Sequence, residues 1–277
     1  MKERLFDVMM PLLPKNDLSH WVGRLVHKPL PPALARKSVE WFAKYYQINM
    51  DEAEYPISHY KTIGELFTRK LKAEARPIGT GVVHPADAQI TEAGPIDRLT
   101  LIQAKGKDYK VPELLRSGHY SVVFEGGSFL TYYLCPTDYH RVHSPVDGEI
   151  IWSCHVPGEL WPVNEWSTNA ITNLFAVNER VVVMIQTPKG KVALVMVAAT
   201  NVGNMSMTFD QNISTRYRHA ERQVKERAYN PPLPIKRGEE VGIFHMGSTV
   251  IMLYEKGVLP VEADQFRSRH VKMGQSL

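Results

Sequence analysis

Gly242-Ile243-Phe244-His245-Met246-Gly247-Ser248-Thr249-Val250-Ile251-Met252-Leu253-Tyr254 decides how this chain is read, because two apolar, strand-like runs flank a Gly247-Ser248-Thr249 centre. A serine at the head of a strand is held firmly, while the glycine before it, lacking Cβ, can take backbone angles closed to other residues. Such a peptide suits a serine that attacks the carbonyl immediately preceding it. It suits equally well a plain bend between two buried strands, and a tripeptide alone does not choose.

Working outward, the runs 128–134, 148–153, 180–186, 191–198, 202–209 and 249–254 read as strands. Thr187-Pro188-Lys189-Gly190 closes a hairpin between two of them, and Asp147-Gly148 marks another turn. Consecutive strands without helical patterns between them predict mostly antiparallel sheet, so the expected fold class is α+β with the helices at the front. Thr62-Ile63-Gly64-Glu65 is a capping box, expected to open a helix through about Lys72 with Ile63, Leu66, Phe67 and Leu71 inward.

The front of the chain has its own character. Asn16-Asp17 caps a run in which Leu18, Trp21, Val22, Leu25 and Val26 share one face, opposite His20, Arg24, His27 and Lys28. A second helix is expected from Pro31-Pro32, carrying Leu34, Trp41, Phe42, Tyr45 and Ile48, and Leu5, Phe6, Met9, Leu12 and Leu13 form a patch before Pro14. Residues 1–48 hold eight Lys/Arg against four Asp/Glu, so the whole formal charge of +4 sits in this segment. Basic, amphipathic, aromatic pieces fit the headgroup region of an anionic membrane, and they fit packing against the body of the protein too. Nucleic acid is not an expected partner, since apolar residues dilute the basic ones and the body is neutral. The chain is divided into 1–48, an amphipathic basic segment for which membrane association and packing both stay open, and 49–277, the body of the chain.

Composition sets the bounds. A chain of 277 residues with 44% hydrophobic content can bury a large core. Two cysteines, Cys135 and Cys154, give neither a disulfide framework nor a cysteine-rich metal site and point to a reducing compartment. The longest wholly apolar run, 192–199, is far below the ~20 residues of a spanning helix. Met1-Lys2-Glu3-Arg4 begins neither a signal nor a transit peptide, so the N-terminus is expected to be retained.

Three strings put reactive side chains beside stiff turn residues: His84-Pro85-Ala86-Asp87-Ala88, Pro136-Thr137-Asp138-Tyr139-His140-Arg141-Val142-His143-Ser144-Pro145, and the Gly247-Ser248 centre. His140 and His143, three apart, invite a metal, but no glutamate lies between them and no third ligand is signalled, so no metal is expected. Asp87, a histidine and Ser248 can instead make an Asp-His-Ser relay, which is defined by geometry and not by order in the chain. Read separately, the same residues are an exposed carboxylate and two loop histidines.

Taken together, these strings resemble phosphatidylserine decarboxylases, the pyruvoyl-dependent enzymes of phospholipid synthesis. The likeness also takes in Tyr45-Tyr46, Phe67-Thr68-Arg69 and Arg76-Pro77-Ile78, Ala104-Lys105-Gly106, Val156-Pro157-Gly158-Glu159-Leu160 and Asn173-Leu174-Phe175-Ala176-Val177-Asn178-Glu179-Arg180. Its most specific parts are Asp138-Tyr139-His140-Arg141-Val142-His143 and Gly247-Ser248-Thr249. Met246 stands where the bacterial pattern usually has leucine, and Ala88 where it usually has glycine.

The resemblance implies two chemistries from one serine. Ser248, activated by His143 and oriented through Asp87, attacks the Gly247 carbonyl, and the chain breaks into 1–247 and 248–277 with a pyruvoyl group at position 248. That cofactor then forms a Schiff base with the serine amine of phosphatidylserine and accepts the electrons released with CO2, while His140 protonates the product carbon to give phosphatidylethanolamine. The resemblance further implies that 1–48 associates with a membrane and that 49–277 is a catalytic domain. It also implies a heterodimer of the two cleavage chains, open to further dimerisation, peripheral on the cytoplasmic side of the cell membrane. Two other readings stay open: a pyruvoyl decarboxylase of a soluble amino acid, and a non-catalytic peripheral membrane protein.

Overall fold

A computed structural model describes residues 30–104, 106–199, 205–213, 215, 223–245 and 248–277. The expected helix around Trp21, the patch at 5–13, and Met246 and Gly247 lie outside these residues. In chain order the strands are β1 (Ala88–Pro95), β2 (Thr100–Ala104), β3 (Lys107–Lys110), β4 (Ser128–Leu134), β5 (Arg141–His143), β6 (Gly148–Val156), β7 (Arg180–Thr187), β8 (Gly190–Ala198), β9 (Met205–Met207), β10 (Lys225–Ile235), β11 (Glu240–Phe244), β12 (Ser248–Tyr254) and β13 (His270–Val271). The helices are α1 (Pro32–Tyr45), α2 (Ile63–Phe67), α3 (Val111–Leu115), α4 (Gly118–Ser121), α5 (Glu165–Ala170) and α6 (Leu174–Val177). The fold is α+β and mostly antiparallel.

Eight strands form one sheet in the order β10-β6-β7-β8-β12-β4-β1-β13, every pairing antiparallel. The late strand β12 is inserted at the centre, between β8 and β4. That position explains its composition: Val250, Ile251, Met252, Leu253 and Tyr254 are all fully buried, as are Val192–Ala198 on β8, so a continuous apolar run replaces the alternation of a one-sided sheet. A smaller sheet, β5-β11-β9, carries the approach to this strand.

Several expectations are revised at their ends. The helix from the capping box stops at Phe67, because Thr68 caps it on Gly64 and the chain then returns to pair Leu71 with Ala53. Thr62 does accept from Glu65 N, and Glu65 in turn takes the Lys61 N–H. Within the expected strand 202–209, the described strand is Met205–Met207. Ala88 causes no irregularity of its own: it opens β1 and pairs Val271. β10 is not among the expected strands; its three prolines are tolerated because it lies at the sheet edge, where a missing N–H leaves no ladder partner unsatisfied.

Helix α1 starts with proline in its first turn, which suits that position. It packs Val39, Phe42 and Ala43 against Ile48, Tyr60, Leu66 and Phe67, a cluster separate from the main core. Its other side leaves Leu34, Trp41 and Tyr45 exposed by 54%, 60% and 65%. No described helix is long and apolar enough to cross a membrane.

Candidate active site

The site is built where the two sheets meet. Strand β4 ends at Leu134, and Asp138 folds the next residues into a turn by accepting the Cys135 N–H (2.8 Å) while its own N–H returns to the Cys135 carbonyl (2.9 Å). Tyr139 and His140 follow, and β5 then runs antiparallel to β11, pairing His143 with Glu240 and Arg141 with Ile243. At the far end of β11, Phe244 N–H donates to the His140 carbonyl (3.0 Å). Four residues later the backbone of Ser248 pairs with Leu134 on one side and Ala198 on the other. The turn 134–140 and the link 244–248 are thus tied to each other at both ends.

His140 is fully buried with Phe67 against its ring, the centroids 3.8 Å apart. Its Nδ1 lies 2.9 Å from the Asp138 carbonyl, which can only accept, so Nδ1 carries the proton and Nε2 holds a lone pair with no partner among the described residues. Burial drives its pKa down to about 3, outweighing the Asp138 hydrogen bond. His143 is set in the same way: Nδ1–H donates to the Gly238 carbonyl (2.9 Å), and Nε2 accepts from the Tyr139 hydroxyl (3.2 Å). Burial lowers its pKa too, against the Gly238 hydrogen bond and the charge of Glu240. Both rings are neutral near pH 7, each with Nε2 as its basic atom.

The string bearing Asp87 meets the histidine string at the backbone, where His143 N–H donates to the Pro85 carbonyl (2.8 Å). Its carboxylate points elsewhere. Arg76 grips both oxygens (Nε to Oδ1 2.9 Å, Nη2 to Oδ2 2.6 Å), Met273 N–H donates to Oδ1 (2.8 Å), and Lys272 Nζ lies 3.3 Å from Oδ2. Burial opposes its ionisation, but Arg76, Met273 and Lys272 hold its pKa below the usual value. Asp87 and His143 therefore share no hydrogen bond, and the backbone of Gly238 sets the tautomer of His143. Gly238 has φ +79°, and a Cβ there would come within 2.7 Å of Ile78, so the residue presenting that carbonyl is confined to glycine.

Gly247, expected to supply the attacked carbonyl, lies outside the described residues, as does the Ser248 side chain. Tyr139, Arg76 and Gly238 had no role in the sequence reading, although Tyr139 and Arg76 stand inside the quoted strings. A cleft of about 490 Å³ opens beside Thr249, with Gln89, Glu92, Tyr133 and Asn164 in its wall, but it includes neither histidine nor Asp87.

The sequence profile of the phosphatidylserine decarboxylases matches residues 63–277. The chain belongs to that family. It is 40% identical over 258 residues to the phosphatidylserine decarboxylase proenzyme of Myxococcus xanthus, covering 92% of this chain and 91% of the relative. The proenzymes of Anaeromyxobacter sp. and Brevibacillus brevis are each 38% identical, over 281 and 282 residues, covering 100% of this chain and 99% and 98% of those relatives.

Proposed function

We propose that this chain decarboxylates phosphatidylserine to phosphatidylethanolamine and CO2, after breaking its own backbone between Gly247 and Ser248. The observation that supports this most is the facing pair of segments: the turn 134–140, which ends on His140 and leads into the strand bearing His143, is bonded to Phe244 before the scissile bond and pairs with Ser248 after it. In the first reaction Ser248 Oγ attacks the Gly247 carbonyl carbon, its proton passing to Nε2 of His143, which Tyr139 must release. The acyl group moves from nitrogen to oxygen. Loss of the Cα proton then expels the Gly247 carboxylate, and water hydrolyses the resulting enamine, through its imine tautomer, to the ketone with release of ammonia.

The residues fit a pyruvoyl group at position 248. A chain starting there begins on a strand paired along both edges, so it stays fixed after the break, and His140 offers an unshared, water-shielded Nε2 in the facing turn. When present there, the group would supply an electron sink for the charge left on the substrate carbon as CO2 departs. Neutral His140 cannot give up a proton from Nε2 that it has not first gained. It accepts one from the substrate ammonium, which must lose it to react, and hands it on to the product carbon, so the histidine ends as it began.

The two cleavage chains stay together as a heterodimer, because β12, β13 and the Asp87–Met273 contact all bind 248–277 to the rest. Residues 1–48 face an anionic membrane holding phosphatidylserine, and the protein is peripheral to it. Support comes from α1, which sets Leu34, Trp41 and Tyr45 beside exposed Lys37 and Lys44. The test is intact-mass measurement of purified protein. Chains of 1–247 and 248–277 are expected, the shorter one lighter than its serine form by one ammonia, together with phosphatidylethanolamine formation from vesicles. Ser248→Ala stays whole. Parent protein that remained at 31.5 kDa after long incubation would overturn the reading.

A further inference from the structure

Arg69 is the least satisfied charged group in the described structure. It is only 5% exposed, and no carboxylate among the described residues pairs with it. One nitrogen, Nη2, lies 3.2 Å from the Thr137 carbonyl and 3.5 Å from that of Asp138, while Nε and Nη1 have no partner among the described residues. Beside it, the Tyr60 hydroxyl is also buried, with the Tyr55 backbone near enough to act on it but no hydrogen bond of good geometry among the described residues, and Tyr60 and Arg69 act on each other electrostatically. A buried guanidinium with open donors is costly to keep unless something anionic completes it. The Asp138 carbonyl that Nη2 approaches is the one that fixes His140, whose Nε2 is open as well. Three orphaned polar groups therefore cluster around one turn.

Their order in space matches a lipid headgroup. Tyr60 belongs to the cluster under α1, whose outer side bears Trp41 and Tyr45. Phe42 and Phe67 continue inward from it, with centroids 6.5 Å apart, and Phe67 lies against His140. Arg69 and Tyr60 stand between the aromatic helix and the reacting turn. In phosphatidylserine the phosphodiester stands between the glycerol and the serine in the same way, with a methylene and an ester oxygen separating it from the reacting carbon.

We propose that Arg69, with Tyr60, seats the phosphodiester of the substrate and so selects phospholipid-linked serine, an inference that rests on the decarboxylase reading above. The substrate carboxylate is the poorer occupant. It loses its charge as CO2 departs, so a guanidinium on it would stabilise the ground state above the transition state. The phosphate keeps its charge throughout, and binding it anchors the lipid without slowing the chemical step. Loss of the seat should raise KM and spare kcat.

The experiment compares micellar phosphatidylserine with a serine O-ester of the same acyl chain that has no phosphate. The parent should prefer the phospholipid in kcat/KM by about tenfold to a hundredfold, the range of a hydrogen-bonded charged group. Arg69→Gln should still cleave, raise KM for the phospholipid by a similar factor, and erase the preference; Arg69→Lys, which keeps the charge without the fork, should fall between. Both substrates are assayed on one preparation, so the ratio is independent of the folded fraction. A parent that used both esters equally well overturns the proposal even if neither variant folds. An unchanged ratio in Arg69→Gln would mean the donors hold only water, and an equal loss on both substrates would place Arg69 on the serine moiety; either outcome overturns it. Failure of the parent to cleave or to make phosphatidylethanolamine would instead strike the function itself.

Discussion

Asp87→Asn separates two ways in which a carboxylate can matter here. If Asp87 served mainly to orient His143, its amide would leave the protein folded and stop cleavage. The structure points the other way, since the carboxylate joins Arg76, Lys272 and the Met273 N–H, and His143 takes its orientation from Gly238. Removing one partner of a buried pair costs about 3–5 kcal/mol. Glu52 remains on Arg76 at 2.7 Å, so the lower end, about 3 kcal/mol, is expected. For a domain of this size that is roughly 6–12 °C in Tm. Arg76→Gln in the same chain should recover part of the loss, because it removes a buried charge that Glu52 alone compensates only in part. The assay is thermal unfolding of uncleaved protein, made comparable by carrying Ser248→Ala in every variant, beside intact-mass kinetics of cleavage in the Ser248 background. A Tm within about a degree of the parent, combined with abolished cleavage, would refute the clamp and restore a direct action on His143.

The histidines should divide by role: His143→Ala should block or greatly slow cleavage, whereas His140→Ala should mature and then decarboxylate about a hundredfold more slowly or worse, as single-turnover rates will show. Acid stability gives a second readout on His140. Its folded pKa is about 3, against 6.5 in the unfolded chain, so below pH 6.5 the unfolded state takes a proton that the folded state refuses. Stability is full above that pH and falls toward pH 3, by on the order of 3 kcal/mol at pH 4, and melts of His140→Gln should show a shallower decline. His84, at about 4 through burial, shifts stability in the same direction. At the membrane face, Trp41→Ser with Tyr45→Ser should weaken co-sedimentation with anionic vesicles at every salt concentration. Lys37→Gln with Lys44→Gln should weaken it by about 1 kcal/mol per charge, and mainly at low salt. Vesicle binding unchanged in both pairs would assign α1 to packing alone.

Much of the sheet was legible because its central strands are buried on both faces and so carry unbroken apolar runs; 128–134 was read with its ends in place. The edge strand β10 was not legible, since Asn230-Pro231-Pro232 and Pro234 signal a loop wherever the edge position is unknown. The helix end at Phe67 was missed for a similar reason: Leu71 continues the helical period, but its partner is Ala53, a pairing no local pattern announces. In the site, the reactive side chains were visible as residue types beside turns. Their partners were not. The Gly238 carbonyl has no side chain to read, and Arg76 and Arg69 are a pairing and an absence of pairing that only the folded chain reveals.

The placement of β12 gives a reason for this architecture. A protein that cuts its own chain must keep the new end where the cut was made, or the reactive group made there is lost to solvent. Here residues 248–254 pair with β4 and with β8 along their whole length, and the tail beyond returns to pair β13 with β1 and to place Met273 on Asp87. The pairings from Thr249 to Tyr254, the β13–β1 pairing and the Met273–Asp87 contact all lie downstream of the Gly247–Ser248 bond. The upstream end is held independently, through β11 on β5 and β9. The proposed cleavage would therefore separate two segments that are each already anchored, and the turn carrying His140 is bonded to both. On the proposed function, that arrangement would let one set of residues serve first the cleavage and then the decarboxylation, without a new site having to form between them.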